Sequence, residues 1–228
     1  MKLLLFDIDG TLLMSGGAGR TSMNRAFAHV YGFENGFQNI SMMGRTDPLI
    51  VKEVLKKHTI PWESNRIRTF QQVYYQYLEQ ELAAPVPEKF LCPGIADLLE
   101  ILSADTEMVL GILTGNWERG AYLKLRHFQI EHYFKLGAYA DDAAERVKLV
   151  PVALKKFEIL YGQSIPSHDV YVIGDTPLDI MAARPHKAQT VGVATGYHNI
   201  ESIQQENPDI VFENFKDVEK VAQYFRTS

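Results

Sequence analysis

The chain is short of the features that mark secreted, membrane-spanning or nucleic-acid-bound proteins. It holds a single cysteine, Cys92, in 228 residues. A lone thiol cannot close an internal disulfide, so the expected setting is a reducing cytoplasm and Cys92 reads as a small buried hydrophobe. No apolar run approaches the roughly 18–20 residues of a membrane span. The N-terminal stretch MKLLLF stops being apolar at Asp7, too soon for the core of a signal peptide. Lys and Arg total 23 against 28 Asp and Glu, a formal net charge of −5. With no basic block in the chain, neither a nucleic acid nor a membrane is an expected partner. The seven histidines show no metal-ligand spacing and read as structural or surface residues, with His198 a candidate for the rim of a site. No repeat and no low-complexity segment is visible.

What the chain does have is enough apolar material to bury a core. Hydrophobic residues make up 46% and charged residues 22%, and the length suits one α/β domain or a core with a smaller insertion. Lys2 to Phe6, Glu107 to Leu113, Leu136 to Tyr139, Val170 to Ile173 and Thr190 to Ala194 read as strands, with Ile210-Val211 as a last short one. Helical patterns separate them, over 95–103, 117–128, 147–161 and up to Arg184. Strands alternating with helices predict a Rossmann-like parallel sheet covered on both faces. Residues 15–88 differ. They open on a flexible linker, Ser15 to Gly19, and continue with helical patterns over 20–31, from Asp47, and over 63–84, with no clear strand. The expectation is an all-helical insertion over 15–88, set into a core formed by 1–14 and 89–228.

Ligands of such sheets bind beyond the carboxyl ends of the strands. Three apolar strands here end in polar turns: Asp7-Ile8-Asp9-Gly10-Thr11, Thr114-Gly115-Asn116 and Gly174-Asp175-Thr176. Asp7 and Asp9, two residues apart at a strand end, can face a common site, and Asp175 can join them. Gathered carboxylates repel one another until a divalent cation offsets the cost, and an all-oxygen set suits Mg²⁺ better than zinc. A carboxylate is ionised at neutral pH, so Asp7 can attack phosphorus without a base. Thr114 offers a hydroxyl, and Gly115 an amide that no side chain shields, to the phosphoryl oxygens. Asp9 can protonate the leaving alcohol and then activate water. One Asp-Gly or Thr-Gly pair is only a turn; the three turns in this order, with the string DIDGTL first, carry the argument.

On these residues the chain resembles the haloacid dehalogenase superfamily of phosphohydrolases over nearly its full length. Its DxDGT signature stands as Asp7, Asp9, Gly10 and Thr11, its second-motif Ser/Thr as Thr114, and its GDxxxD acids as Asp175 and Asp179. The resemblance implies Asp7 as nucleophile and Mg²⁺ ligand, Asp9 as acid/base that meets the metal through its backbone carbonyl, Asp175 as metal ligand and Asp179 as a supporting acid. It also implies a small helical cap over the site and phosphatase action on a small phosphorylated metabolite, such as a sugar phosphate or phosphoglycolate. The third-motif cation has two candidates, Arg146 and Lys148. Two residues apart on a helix they point to different sides, and the acidic block before Arg146 looks like the arginine-containing form. A phosphomutase would keep every one of these residues. A dehalogenase would not need Asp9 and Asp175.

In the insertion, Met43-Gly44-Arg45-Thr46-Asp47 reads as a glycine turn feeding a helix N-terminus, with Asp47 as its cap. Arg45 is either a clamp for a second acidic group of the substrate or a surface charge. Gly10, Thr11, Gly115 and Asn116 are the remaining candidates for substrate contact. Phe70, Tyr74, Tyr75 and Tyr77 read as helix packing. The glycines at 16, 17 and 19 lack a following Gly-Lys-Ser/Thr and read as a hinge for the cap.

Overall fold

The computed structural model describes residues 1–227. Six parallel strands form the main sheet: β1 (Lys2–Phe6), β4 (Met108–Leu113), β5 (Leu136–Ala138), β6 (Val170–Gly174), β7 (Gln189–Val193) and β8 (Ile210–Phe212). Their order is β5-β4-β1-β6-β7-β8, so β1 runs down the middle between β4 and β6. Phe6 is level with Ile112 on one side and Ile173 on the other. The chain therefore leaves all three strands at one edge of the sheet.

β1 is buried on both faces, and its alternation decides what each face packs against. Leu4 and Phe6 join α4 (Ile95–Ala104), α5 (Glu118–His127) and α9 (Val218–Thr227) through Leu98, Leu125 and Phe225. Leu3 and Leu5 join α6 (Leu149–Tyr161) and α7 (Pro177–Ala183) through Leu149, Phe157 and Ala183. Each such fully buried side chain contributes about 1.5–3 kcal/mol.

Between β2 (Leu13–Ser15) and β3 (Lys89–Leu91) lie α1 (Ala18–Tyr31), α2 (Asp47–Lys57) and α3 (Ser64–Ala83). They form a helical cap with its own core, in which Phe27, Phe37, Phe70 and Tyr74 are fully buried. Phe27 meets Phe37 edge-on at 5.7 Å, and Phe70 stacks on Tyr74 at 6.4 Å. Tyr75 is buried as well, so the aromatic side of α3 is largely packing, as the sequence predicts, although Tyr74 also lines the cavity described below.

Four local expectations are corrected. β2 and β3 pair antiparallel, Ser15 opposite Lys89, so the insertion is entered and left through strands. The linker read over Ser15 to Gly19 is shorter: Ser15 closes β2, and α1 starts at Ala18. Residues 146–148 form a separate 3-10 turn before α6 begins at Leu149. Thr46, not Asp47, occupies the cap position of α2. Its hydroxyl donates across to the Ala144 carbonyl of the core at 2.5 Å.

Candidate active site

The three strand-end turns and the cap enclose a cavity of about 190 Å³. Asp7, Asp9 and Gly10 line it from the β1 turn, Thr114, Gly115 and Asn116 from the β4 turn, and Asp175 from the β6 turn. Arg146 reaches it from the 3-10 turn before α6, and Arg45 and Asp47 from the cap. The structure thus brings together nearly all of the sequence-predicted site residues.

Asp7 is buried, and its N–H continues the sheet by donating to the Ile173 carbonyl at 2.9 Å. Its Oδ1 pairs with Arg146 Nη2 at 3.1 Å, and among the described residues no well-aligned hydrogen-bond donor reaches this buried oxygen. Burial pushes the Asp7 carboxyl up to about 6; Arg146 opposes the shift, and Asp179 and Asp9 add to it. Burial likewise raises Asp175 well above the ordinary carboxylate value, with Asp179 and Asp7 adding repulsion. Asp175 Oδ1 accepts from the Thr11 hydroxyl at 3.1 Å. A Cβ on either Gly10 or Gly196 would overlap the Asp175 carboxylate, so two glycines leave the space in which it sits.

Asp7, Asp175 and Asp179 place one carboxylate oxygen each within 4.8 Å of one another. Asp179 is already committed: its Oδ2 accepts from the N–H and hydroxyl of Thr176 at 3.0 and 2.7 Å, and its Oδ1 meets Arg146. That leaves Asp7, with its orphan oxygen, and Asp175 as carboxylates raised by burial and mutual repulsion. This is the electrostatic state that a divalent cation relieves, and the all-oxygen donor set fits a hard ion.

The Asp9 side chain departs from the expected cluster. Its Oδ2 accepts from Lys124 Nζ at 2.5 Å and from Asn116 Nδ2 at 2.8 Å, so the carboxylate is drawn to the β4 side of the site. The chain turns as soon as β1 ends at Phe6, so the rule that residues two apart in a strand face the same way no longer holds. A side-chain metal contact from Asp9 is therefore not what this geometry offers.

Thr114 is fully buried, and its Oγ1 accepts from Asn116 N–H at 3.3 Å and Nδ2 at 2.8 Å. With both contacts arriving as donors, the hydroxyl proton is left to donate. The Arg146 guanidinium is buried, pairs with Asp179 and Asp7, and donates to the carbonyls of Gly44 and Leu113 at 3.3 Å each. Burial alone would lower its pKa, but the two carboxylates outweigh that and hold the charge in place. Its Nε–H has no acceptor among the described residues. Lys148 does not line the cavity: it is 62% exposed and pairs with Glu145 at 2.5 Å. Thr11 also stays out of the lining and acts on Asp175 from behind.

Arg45 lines the cavity while its guanidinium pairs with Glu53 at 2.6 Å and donates to the Ser41 carbonyl at 2.8 Å. His198 is not among the lining residues; its neighbour Tyr197 is. Cys92 is buried and its thiol is pushed up to about 12, mainly by burial, which makes it inert. Two residues were missed by sequence reasoning: Lys124, and Asp47 as more than a cap. For Lys124 a signal existed, since Ala121, Lys124 and Leu125 share the buried side of α5.

Comparison with known proteins agrees with this architecture. The chain is 26% identical to a phosphoglycolate phosphatase of Mannheimia succiniciproducens, covering 96% of this chain and 97% of the relative. It is 27% identical to one of Haemophilus influenzae strain Rd, covering 94% and 95%. The fold is shared with a solved structure from Haemophilus somnus 129pt, described as a predicted phosphoglycolate phosphatase, at a TM-score of 0.71 and 24% identity over 98% of both chains. It is shared as well with a provisionally assigned β-phosphoglucomutase of Bacteroides vulgatus, at a TM-score of 0.71 and 19% identity over 100% of this chain and 89% of the other. The sequence pattern of the family described as haloacid dehalogenase-like hydrolase matches residues 4–193, and the chain belongs to that family.

Proposed function

We propose that the chain is a Mg²⁺-dependent phosphoric monoester hydrolase that takes a phosphoryl group from a small metabolite onto Asp7. The observation that carries this reading is the orphan Oδ1 of Asp7, buried beside Arg146 at 3.1 Å and within reach of Asp175. A carboxylate held so, with a cation at hand and one oxygen left without an aligned donor, is a nucleophile in waiting.

Asp7 attacks phosphorus, forming a phosphorus–oxygen bond to its carboxylate while the bond to the alcohol breaks. Asp9 gives its proton to the departing alcohol oxygen. Thr114 donates its hydroxyl, Gly115 its amide and Arg146 its guanidinium charge to the phosphoryl oxygens. In the second half Asp9 takes a proton from water as that water attacks phosphorus, phosphate leaves, and the Asp7 carboxylate is restored. The side chains of Asp7 and Asp175 and the backbone carbonyl of Asp9 would hold Mg²⁺, which would offset the negative charge of the phosphoryl group.

Residues 1–14 and 89–228, with an apolar cluster on each face of the sheet, carry the chemistry in this reading, and 15–88, with a cluster of its own, closes over it. Phosphoglycolate and sugar phosphates are the first substrates to try, since two relatives bear the name phosphoglycolate phosphatase. A cytoplasmic setting suits a metabolite phosphatase with one buried thiol, and no helix among the described residues is long and apolar enough to cross a membrane. The phosphomutase reading is favoured only by the fold shared with the Bacteroides protein. Measuring phosphate release beside isomer formation over a panel of phosphate esters tests both. Isomer without phosphate would replace the hydrolase reading, and neither product from any ester would end it.

A further inference from the structure

Lys124 transfers neither a proton nor a phosphoryl group in that reaction, yet its charge is buried and paired within the site. It stands on α5 and is 3% exposed. Burying an ammonium group is costly unless close partners compensate it. Its two partners are both in the site: Nζ donates to Asp9 Oδ2 at 2.5 Å and to Asn116 Oδ1 at 2.7 Å.

The bond to Asn116 fixes which end of that amide faces which neighbour. With Oδ1 taken by Lys124, Nδ2 is turned to donate to Asp9 Oδ2 at 2.8 Å and to Thr114 Oγ1 at 2.8 Å. Asp9 Oδ2 thus receives two donors. Among the described residues Asp9 Oδ1 has only the Ser15 hydroxyl at 3.4 Å, and the Asp9 side chain is 40% exposed where it borders the cavity. A short carboxylate at a cavity wall would otherwise move among rotamers.

We propose that Lys124 is a positioning residue, which with Asn116 holds Asp9 by one oxygen and leaves the other to exchange protons with the leaving alcohol and the attacking water. Lys124 keeps its own protons throughout. The proton given to the alcohol comes from Asp9, and the one removed from water returns there. The assignment rests on the proposed acid/base role of Asp9. It predicts that loss of Lys124 is felt in proportion to how much the leaving group needs a proton.

The test compares p-nitrophenyl phosphate, whose anion departs unaided, with phenyl phosphate, whose leaving group is poorer. Single turnovers with enzyme in excess report the transfer to Asp7 alone. Lys124→Met should lose at least about tenfold more on phenyl than on p-nitrophenyl phosphate, within the range of general acid catalysis. Lys124→Arg, which retains a buried charge and guards against a folding defect, should show the same selectivity with a smaller loss. In an Asp9→Asn background, Lys124→Met should cost nothing further on p-nitrophenyl phosphate. Equal losses on both esters, in whichever variant folds, or an added loss in the Asp9→Asn background, would make Lys124 a structural residue and overturn the proposal. If the wild-type chain releases neither p-nitrophenol nor phenol from these esters, the phosphatase reading falls and this assignment with it.

Discussion

The N–H of Trp117 donates to the carboxylate of Asp47 at 2.8 Å, and the N–H of Asp47 donates to the carbonyl of Gly115 at 2.7 Å. Two bonds in opposite directions join the first residue of cap helix α2 to the turn after β4. Trp117 adds an apolar seam, meeting Phe70 and Tyr74 of the cap at 6.2 and 5.9 Å. The cap is therefore fastened at the turn that carries Thr114.

The fit at that seam is tight enough to break with one methyl group. A Cβ on Gly115 would overlap the Arg45 carbonyl. Gly115→Ala should keep the cap from seating and raise KM for p-nitrophenyl phosphate by roughly tenfold or more, the cost of a misplaced site. The far-ultraviolet spectrum should be unchanged, because both cores are untouched. An unaltered KM would mean that the seated cap is not the working form.

Asp47 makes the seam sensitive to pH. Burial raises its carboxyl from 3.8 to about 7, opposed by Lys124 and the Trp117 N–H and assisted by Asp9 and Asp141. Between those values the unfolded chain is ionised at this position and the folded chain protonated. Folding then takes up a proton, so the contribution is favourable at low pH and is lost as pH rises towards about 7. Asp47→Asn keeps an oxygen for Trp117 without the ionisation. Urea midpoints at about pH 5 and about pH 8 should differ less in the variant than in the wild type. Equal differences would remove Asp47 as a titrating group.

Arg146 and Lys148 should separate cleanly. Arg146→Ala strands buried Asp179 and Asp7 without their cation, a loss of about 3–5 kcal/mol in stability, and should cut turnover at least about a hundredfold. Lys148→Ala breaks an exposed pair with Glu145, worth at most about 1 kcal/mol, and should leave turnover within about twofold of wild type. Activity assays beside melting curves would show this, and a large loss of turnover with Lys148→Ala would reopen the choice.

Asp7→Asn should reduce p-nitrophenyl phosphate turnover to background, since an amide is no nucleophile for phosphorus. EDTA should silence the wild type, with Mg²⁺ restoring it. Gly196→Ala, which crowds the Asp175 carboxylate, should raise the Mg²⁺ concentration needed for half-maximal restoration. Activity indifferent to chelation would dismiss the metal.

The main sheet was legible because β1, β4 and β6 are continuous apolar runs that stop at polar turns, too short for helices and therefore read as buried parallel strands. The opposed directions of Arg146 and Lys148 followed from their spacing, and the structure buries one and exposes the other. Three things were hidden. β2 and β3 are three residues each, too short for any period, and exist because they face one another. The place of Lys124 beside Ala121 and Leu125 hints at its burial, but the carboxylate it holds lies 115 residues away, a pairing that no local pattern spans. Asp9 faces the same cavity as Asp7, as their spacing suggests, but the bonds that draw its carboxylate to Lys124 and Asn116 could not be read from that spacing.

The β2–β3 ladder has a consequence for how such a protein can change. The insertion departs and returns at adjacent rungs, Ser15 beside Lys89, so its ends ask the same of the sheet whatever hangs between them. Lengthening a flexible excursion costs only about 0.6 kcal/mol per doubling. A different excursion grafted onto the same two rungs would alter which molecules are admitted while the strand-end turns kept their places, which lets selectivity drift without disturbing the chemistry beneath.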